Sequence, residues 1–322
     1  MSSDSFDNNA LSSNFLERKA ELYLILTTVF WAGTFVFTKN ALLSCDPFLF
    51  VGIRFAFAVA IALMLWIGMF RNWSTRIARD GVVMGVCYGL GFVFQTWGLQ
   101  YTTISKSAFI TGMVVVFVPA VDRFIRKAKI NTVQMLTVAI ATIGLVLLTR
   151  PDAGAVNIGD AMTLAGSVMW AICISYLDKS SHARGDHPYY MPILVFVQFL
   201  VTSTIGFAFY EILSKPQHEH APLIVSSVAD YSPTTWSFTV IIALLYTAIF
   251  GSFASTTLQT KYQRYVSPVK AGVIFTLEPV IASFIAYFTH GERLGSQELF
   301  GAALMIVAVI LGDVLKERGK QF

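Results

Sequence analysis

Charged residues are scarce in this sequence, since Asp, Glu, Lys and Arg make up 13% of its 322 residues, against about 25% in an ordinary soluble domain. Hydrophobic residues make up 55%, and the mean hydropathy is +0.64. The net charge of +4 comes with no motif typical of nucleic-acid binding, so nucleic acid is not a predicted partner. The low charge predicts that most of the chain lies in a lipid bilayer.

Several chemical signatures are also missing. The three cysteines, Cys45, Cys87 and Cys173, lack CxxC spacing, which argues against disulfides and a cysteine metal site. The His-Glu-His run at 218–220 lacks the spacing of a helical zinc motif, and the chain has no Walker A sequence. We therefore predict no metal, no cofactor and no direct use of ATP. Residues 1–20 are polar and lack the apolar core of a secretory signal, which predicts a disordered cytosolic tail.

Ten apolar stretches fill most of the chain, and each has about the 20 residues that a helix needs to cross a bilayer. We predict an all-α membrane protein with ten transmembrane helices. The predicted stretches are 21–43, 48–70, 81–99, 107–124, 133–149, 158–177, 188–212, 236–259, 269–289 and 297–315. A longer polar connection, 213–235, separates the seventh and eighth stretches and is a candidate lid.

Lysine and arginine alternate in density between successive gaps. Seventeen of the 23 lysines and arginines lie in every second connection or at the two ends of the chain, all of which face the same side of the membrane. The positive-inside rule assigns that set to the cytosol. We therefore predict a multi-pass protein of the bacterial inner (cytoplasmic) membrane with both termini cytosolic, ending in a basic cytosolic tail at 316–322.

An internal repeat relates the first five stretches to the last five. The matching residues are Trp31 and Trp170, Tyr88 and Tyr246, Phe92 and Phe250, Gln100 and Gln263, Ala108 and Ala271, and Pro119 and Pro279. Because a five-helix unit that starts inside ends outside, the second copy must be inverted. We predict two inverted five-helix repeats, 21–150 and 151–315. Such repeats place a substrate site near the bilayer midplane between the halves and permit alternating access.

Seven short runs are similar to motifs of the EamA-type permeases of the drug/metabolite transporter superfamily. They are WAGTF at 31–35, GIRF at 52–55, FITG at 109–112, VFVP at 116–119, LEPV at 277–280, GERL at 291–294 and GAA at 301–303. The resemblance implies ten helices around a central cavity and transport of small organic metabolites. Amino acids, their analogues and drugs are common substrates of such permeases.

The candidate substrate-binding residues are aromatic or polar side chains that share helix faces or recur in the repeat. They are Trp31, Thr34, Thr38, Tyr88, Gln95, Trp170, Tyr246 and Thr257. Stacking surfaces combined with a few hydrogen-bonding groups are typical of a small-molecule pocket. Each residue taken alone is also compatible with a packed or lipid-facing position.

Glu278 is the most informative ionisable residue, because it lies deep in the ninth stretch, where an ionised carboxylate is costly and commonly functional. It is either a proton-coupling group, a counter-ion for a substrate amine, or a structural carboxyl bonded to backbone freed by Pro279. Lys39 and Arg54 either form an electropositive outer vestibule or snorkel to the interface. Pro119 and Pro279 predict kinks that serve as gating hinges or as static bends.

These features favour a secondary active transporter for amino acids or related metabolites that works by alternating access. The family resemblance favours export, with protons as a possible coupling ion. A single chain contains both repeats, so we expect a monomer. The alternatives are an exchanger for drugs or other metabolites and an intramembrane enzyme. An enzyme would need partners for Glu278 at matching depth, and the sequence offers none, so we predict that the protein is not an enzyme.

Overall fold

The structure is a computed structural model of the chain that describes residues 3–102, 104–149, 157–214, 234–290 and 295–319. These residues form helices and turns and contain no β-strand. The α-helices are α1 Ser3–Ala41, α2 Pro47–Trp66, α3 Thr75–Tyr101, α4 Ile104–Gly112, α5 Val114–Ile125, α6 Thr132–Thr149, α7 Ile158–Arg184, α8 Tyr190–Phe209, α9 Phe238–Tyr246, α10 Ser255–Tyr262, α11 Pro268–Phe275, α12 Leu277–His290 and α13 Ser296–Gly319. A π-helical segment, Thr247–Ala254, joins α9 to α10.

Within the described ranges, eight helical stretches are long and apolar enough to cross a membrane. Two shorter apolar helices, Thr132–Leu148 and Ser296–Leu311, occupy the fifth and tenth predicted stretches. The structure therefore confirms an all-helical, multi-pass membrane protein.

The first helix is longer than the sequence predicts. It begins at Ser3, so residues 3–20 are helical where composition predicts a disordered tail. Ala10, Leu11 and Glu17 are good helix formers and continue the helix outward from the apolar stretch. The predicted basic tail is likewise helical as far as Gly319, and its last three residues lie outside the described part of the chain, as does most of the candidate lid (215–233).

Local sequence signals explain where individual helices start. The carboxylate of Asp46 accepts hydrogen bonds from the backbone N–H groups of Phe48 and Leu49, each at 2.8 Å, and Pro47 occupies the first helical position of α2. Asn157 and Asp160 form a capping box at the start of α7. Such caps satisfy backbone donors that have no partner within the helix. They fix the ends of helices that lead into the centre of the bundle.

Two corresponding stretches are broken into half-helices. α4 and α5 are separated at Met113, and α11 and α12 are separated at Thr276. The two breaks are 163 positions apart, which is also the separation of Ala108 and Ala271. Pro279 accounts for the second break, because it cannot donate a hydrogen bond to the carbonyl four residues earlier. The breaks adjoin each other, since a Cβ added to Gly112 would lie 3.3 Å from Cγ of Pro279.

Glycine lets helices of the two halves approach closely at three crossings. A Cβ added to Gly98 of α3 would lie 2.5 Å from the carbonyl oxygen of Gly159 of α7, and the reverse distance is also 2.5 Å. The same reciprocal contact joins Gly144 of α6 to Gly301 of α13. At the third crossing, a Cβ added to Gly206 of α8 would lie 2.6 Å from the backbone nitrogen of Gly52 of α2, whereas a Cβ added to Gly52 would meet the ring of Phe207. Small residues of this kind allow close approach of membrane helices, so main chain meets main chain where the halves join.

Candidate functional site: a cavity between the halves

A cavity with an empty volume of about 600 Å³ lies between the two halves of the chain. The first half contributes Trp31, Thr34, Met84, Tyr88, Phe92, Gln95, Thr111 and Val114. The second half contributes Trp170, Cys173, Ile174, Gln259, Phe275 and Glu278. A mostly apolar lining with a few polar groups is typical of small-molecule sites.

Five of the fourteen lining residues are aromatic. The ring centroids of Tyr88 and Phe92 are 4.8 Å apart, and those of Phe92 and Trp170 are 5.4 Å apart, both with edge-to-face geometry. On the α1 side, Trp31 meets Phe275 at 5.1 Å. These arrangements are favourable for aromatic pairs. The rings are thereby held as rigid surfaces against which an apolar or cationic group can pack.

Neutral polar groups complete the lining, and several of them are already paired. The side-chain amide of Gln95 donates to Thr111 Oγ1 at 3.0 Å. The hydroxyls of Tyr88 and Thr256 are 2.7 Å apart and form a bond between the halves. These bonds fix the orientation of side chains that can also offer hydrogen bonds to a ligand.

Glu278 is the acidic side chain among the lining residues. It is 7% exposed, and it lies in the first turn of α12. The break at Thr276 therefore places the carboxyl group at the amino end of a half-helix deep in the protein, where the helix dipole favours negative charge. No hydrogen bond or ion pair connects Glu278 to another described residue. Its carboxyl group is available to a proton or to a bound cation.

Arg54 lies behind the cavity wall and not at an exposed outer vestibule, because its side chain is 2% exposed. Its Nε donates to Ser252 Oγ at 2.8 Å, and its guanidinium carbon is 4.5 Å from the centre of the Phe92 ring. Ser252 belongs to the π-helical segment. Such segments frequently occur at functional sites.

Lys39 also has local partners. Its ammonium group donates to the carbonyl oxygens of Leu99 and Thr102, at 2.6 and 2.9 Å. Because α3 ends at Tyr101, the lysine caps carbonyls at the end of that helix. A vestibule role for Lys39 stays a prediction.

The cavity brings together five of the eight predicted substrate-binding residues: Trp31, Thr34, Tyr88, Gln95 and Trp170. The other three, Thr38, Tyr246 and Thr257, are not among its lining residues. Tyr246 instead stacks on Phe37 at 4.4 Å and donates to the carbonyl oxygen of Phe30 at 3.3 Å. Ligand binding by these residues stays a prediction.

The two predicted hinge prolines occupy different positions. Pro279 lies in the first turn of α12, next to its break. Pro119 lies inside α5, which continues through it without interruption. A gating role for either proline stays a prediction.

Sequence reasoning missed several lining residues. Thr111 and Gln259 had a usable signal, because polar side chains in apolar stretches favour the protein interior. Apolar residues such as Met84 and Phe275 had none, since an apolar side chain suits lipid and a cavity wall equally. Among the described residues, no cluster of three or more His, Cys, Asp and Glu side chains could hold a metal ion.

The fold and cavity define a multi-pass helical membrane protein whose two halves both line a central cavity. Residues 18–150 and 157–312 each match the EamA-like transporter family. The chain belongs to this family, with one copy of the family domain in each half.

Individual relatives are consistent with this assignment. An uncharacterized transporter of Archaeoglobus fulgidus is 32% identical over 292 residues, covering 91% of this chain and 85% of the relative. A probable amino-acid metabolite efflux pump of Salmonella typhimurium is 24% identical over 312 residues, covering 92% and 95%. A crystal structure of another protein, 13% identical, matches with a TM-score of 0.70 and covers 94% of this chain and 98% of that one. The last likeness concerns the fold alone.

Proposed function

We propose that this protein is a secondary active transporter, and not an enzyme, that exports amino acids or related metabolites by alternating access. In this proposal ten helices form two inverted repeats in a bacterial cytoplasmic membrane, with both termini cytosolic. Protons drive export through Glu278, and one chain suffices. The observation that carries the proposal is the central cavity, to which both family domains contribute aromatic side chains and one contributes a deep carboxyl group.

Matching contacts between the halves support inverted repeats. The indole N–H of Trp31, in the first half, donates to the carbonyl oxygen of Gly251 in the second at 3.2 Å. Its counterpart Trp170, in the second half, lies against α3 of the first, where a Cβ on Gly91 would be 2.8 Å from the indole nitrogen. The indole group of each tryptophan thus contacts a glycine in the opposite half of the chain.

Transport by the purified protein tests the proposal. Proteoliposomes loaded with a panel of labelled amino acids and related metabolites should release at least one of them against its gradient when a proton gradient is imposed. Protein-free liposomes measure the leak. Failure to move any member of the panel, with protein shown to be folded, would contradict a transport function and revive the intramembrane enzyme.

Two ion pairs at opposite ends of the bundle support alternating access. Lys106, at the start of α4, pairs with Asp160 of α7 at 2.6 Å. Lys270, at the start of α11, pairs with Glu21 of α1. Each pair joins one half of the chain to the other, and both are largely buried.

The two ion pairs correspond under the internal repeat. Glu21 and Asp160 are 139 positions apart, as are Trp31 and Trp170. Lys106 and Lys270 are 164 positions apart, one more than Ala108 and Ala271. In the proposed cycle, one pair closes the outer end of the cavity and its counterpart closes the cytosolic end.

Breaking either pair should open the end that it closes. In a variant that keeps Cys173, a cavity residue, and replaces Cys45 and Cys87 by serine, a membrane-impermeant thiol reagent reports access from each side. Asp160→Asn should speed labelling from the outside, and Lys270→Gln from the cytosolic side. We expect about tenfold or more, because an unpaired buried charge costs several kcal/mol and favours the hydrated open state.

An exposed ion pair provides the control. Arg264 and Asp186 lie 3.0 Å apart within the second half, and the Asp186 side chain is 98% exposed, so Asp186→Asn should leave both labelling rates unchanged. Equal changes from both sides in either single variant would refute separate closure of the two ends.

A further inference from the structure

Two free thiol groups meet across the two halves of the chain. Cys87 lies in α3 of the first half and Cys173 lies in α7 of the second. Their side chains interact through a hydrogen bond between the thiols, although the two residues are 86 positions apart in the sequence. Two neighbouring thiols have a chemistry that a single one lacks, because a two-electron oxidation can join them in a disulfide.

The packing of α3 against α7 sets the register in which the thiols meet. Gly98 of α3 lies against Gly159 of α7, and a Cβ added to Gly166 would lie 3.0 Å from the carbonyl oxygen of Gly91. The two helices are therefore antiparallel, and seven residues along one are matched by seven along the other. They are closest at the glycines, where no side chain separates them.

One further step of seven residues pairs Met84 with Cys173. The Sγ atom of Cys173 is 3.8 Å from the carbonyl oxygen of Met84. Because Cys87 follows Met84 by three residues, both lie on the same face of α3, so the register of the helices accounts for the contact between the thiols. Met84 and Cys173 also line the cavity. A small solute in the cavity therefore comes next to this pair.

We propose that Cys87 and Cys173 are a reversible oxidation site, at which hydrogen peroxide forms a disulfide that ties the two halves together. One thiolate attacks an oxygen of the peroxide, the O–O bond breaks and hydroxide leaves, which gives a sulfenic acid. The other sulfur then attacks the sulfenic sulfur, the S–O bond breaks and water leaves. The two thiols lose two protons and two electrons in total, and the peroxide becomes two molecules of water.

The disulfide stops transport, a consequence that rests on the proposed function. Cys87 is eleven residues from Gly98, or about 16 Å along α3 at the usual helical rise. A rotation of about 15° around the crossing of Gly98 and Gly159 would shift the cysteines by about 4 Å relative to each other. A disulfide holds its Cβ atoms about 3.5–4.5 Å apart, so the cross-linked halves cannot make this movement.

Oxidation of the purified full chain tests the proposal with and without transport. Hydrogen peroxide should consume two of the three free thiols, and mass spectrometry should find the peptides of Cys87 and Cys173 joined, with two hydrogen atoms lost. The midpoint of thermal unfolding should rise, because the bond closes a long loop of the chain. In proteoliposomes, the transport rate should fall in proportion to the fraction of protein that is cross-linked.

Reduction and two serine variants supply the controls. Dithiothreitol should restore the thiols, the midpoint and the rate, whereas oxidised methionine would not be repaired by a thiol reagent. Cys87→Ser should transport equally with and without peroxide. Cys45→Ser is the matched control, since Cys45 packs in a separate cluster near the end of α1, and it should be inhibited like the wild type. Comparison of oxidised with reduced wild type decides the matter even if a variant fails to fold.

Three results would overturn the proposal: thiols of Cys87 and Cys173 that stay free in peroxide, a disulfide that leaves the transport rate unchanged, and equal inhibition of Cys87→Ser and the wild type. In each case transport by the reduced protein would leave the proposed function standing. The converse result, a disulfide that raises the unfolding midpoint of a protein that transports no solute, would keep the oxidation site and refute the proposed function.

Discussion

Glu278→Gln should abolish accumulation driven by a proton gradient, so that the ratio of cargo concentrations across the membrane falls to about 1. Glutamine has a similar shape but cannot exchange a proton, which removes the coupling free energy between proton and cargo. At saturating cargo, exchange of labelled for unlabelled cargo across the same membrane should persist, because it requires no net proton movement. Proteoliposomes with a controlled internal and external pH measure both activities.

The same substitution at an exposed glutamate serves as the control. Glu211 lies at the end of the α8 stretch, away from the cavity, so Glu211→Gln should keep both accumulation and exchange. If the Glu278 variant still concentrated cargo with the wild-type dependence on pH, this carboxyl group would have no part in coupling.

Gly98→Ala should destabilise the folded protein by roughly 1–3 kcal/mol, the usual cost of adding a methylene group to a filled interior. The added Cβ would lie 2.5 Å from the carbonyl oxygen of Gly159 and 2.7 Å from Oγ1 of Thr163. Backbone cannot rotate away as a flexible side chain can, so α3 and α7 must separate. Thermal unfolding of the detergent-solubilised protein should show a lower midpoint.

Gly68→Ala provides the comparison, because no heavy atom lies within 4 Å of a Cβ built at this position. Its unfolding midpoint should equal that of the wild type. An unchanged midpoint for Gly98→Ala would mean that α3 and α7 are less tightly apposed than the structure shows. A lower midpoint for both variants would point to a general cost of replacing glycine.

The positions of the apolar helices could be predicted from the sequence, because the hydrophobicity of each residue is known from its type and does not depend on tertiary contacts. The breaks at Met113 and Thr276 could not be located in this way. Pro119 is a visible helix breaker, yet α5 continues through it and the interruption lies six residues earlier, at a methionine. Proline removes one hydrogen bond, but neighbouring helices decide where the chain bends.

The candidate site was predicted in part. Helical periodicity places Trp31 and Thr34 on one face, and both line the cavity. Thr38 lies on the same face but beyond the cavity, because periodicity gives the direction of a side chain and not its depth. The position of Arg54 could not be predicted in this way. Its place near a helix end predicts an outer vestibule, whereas contacts with Phe92 and Ser252 on other helices hold its side chain in the protein interior.

The glycine crossings have a consequence for how the two halves move. Helices that interlock through large side chains must lift those side chains out of their grooves before they can tilt. At Gly98 and Gly159, and at Gly144 and Gly301, each glycine lies against the main chain of the opposite helix, so neither glycine has a side chain to disengage. In the proposed alternating-access cycle, these crossings are the pivots about which one half turns against the other.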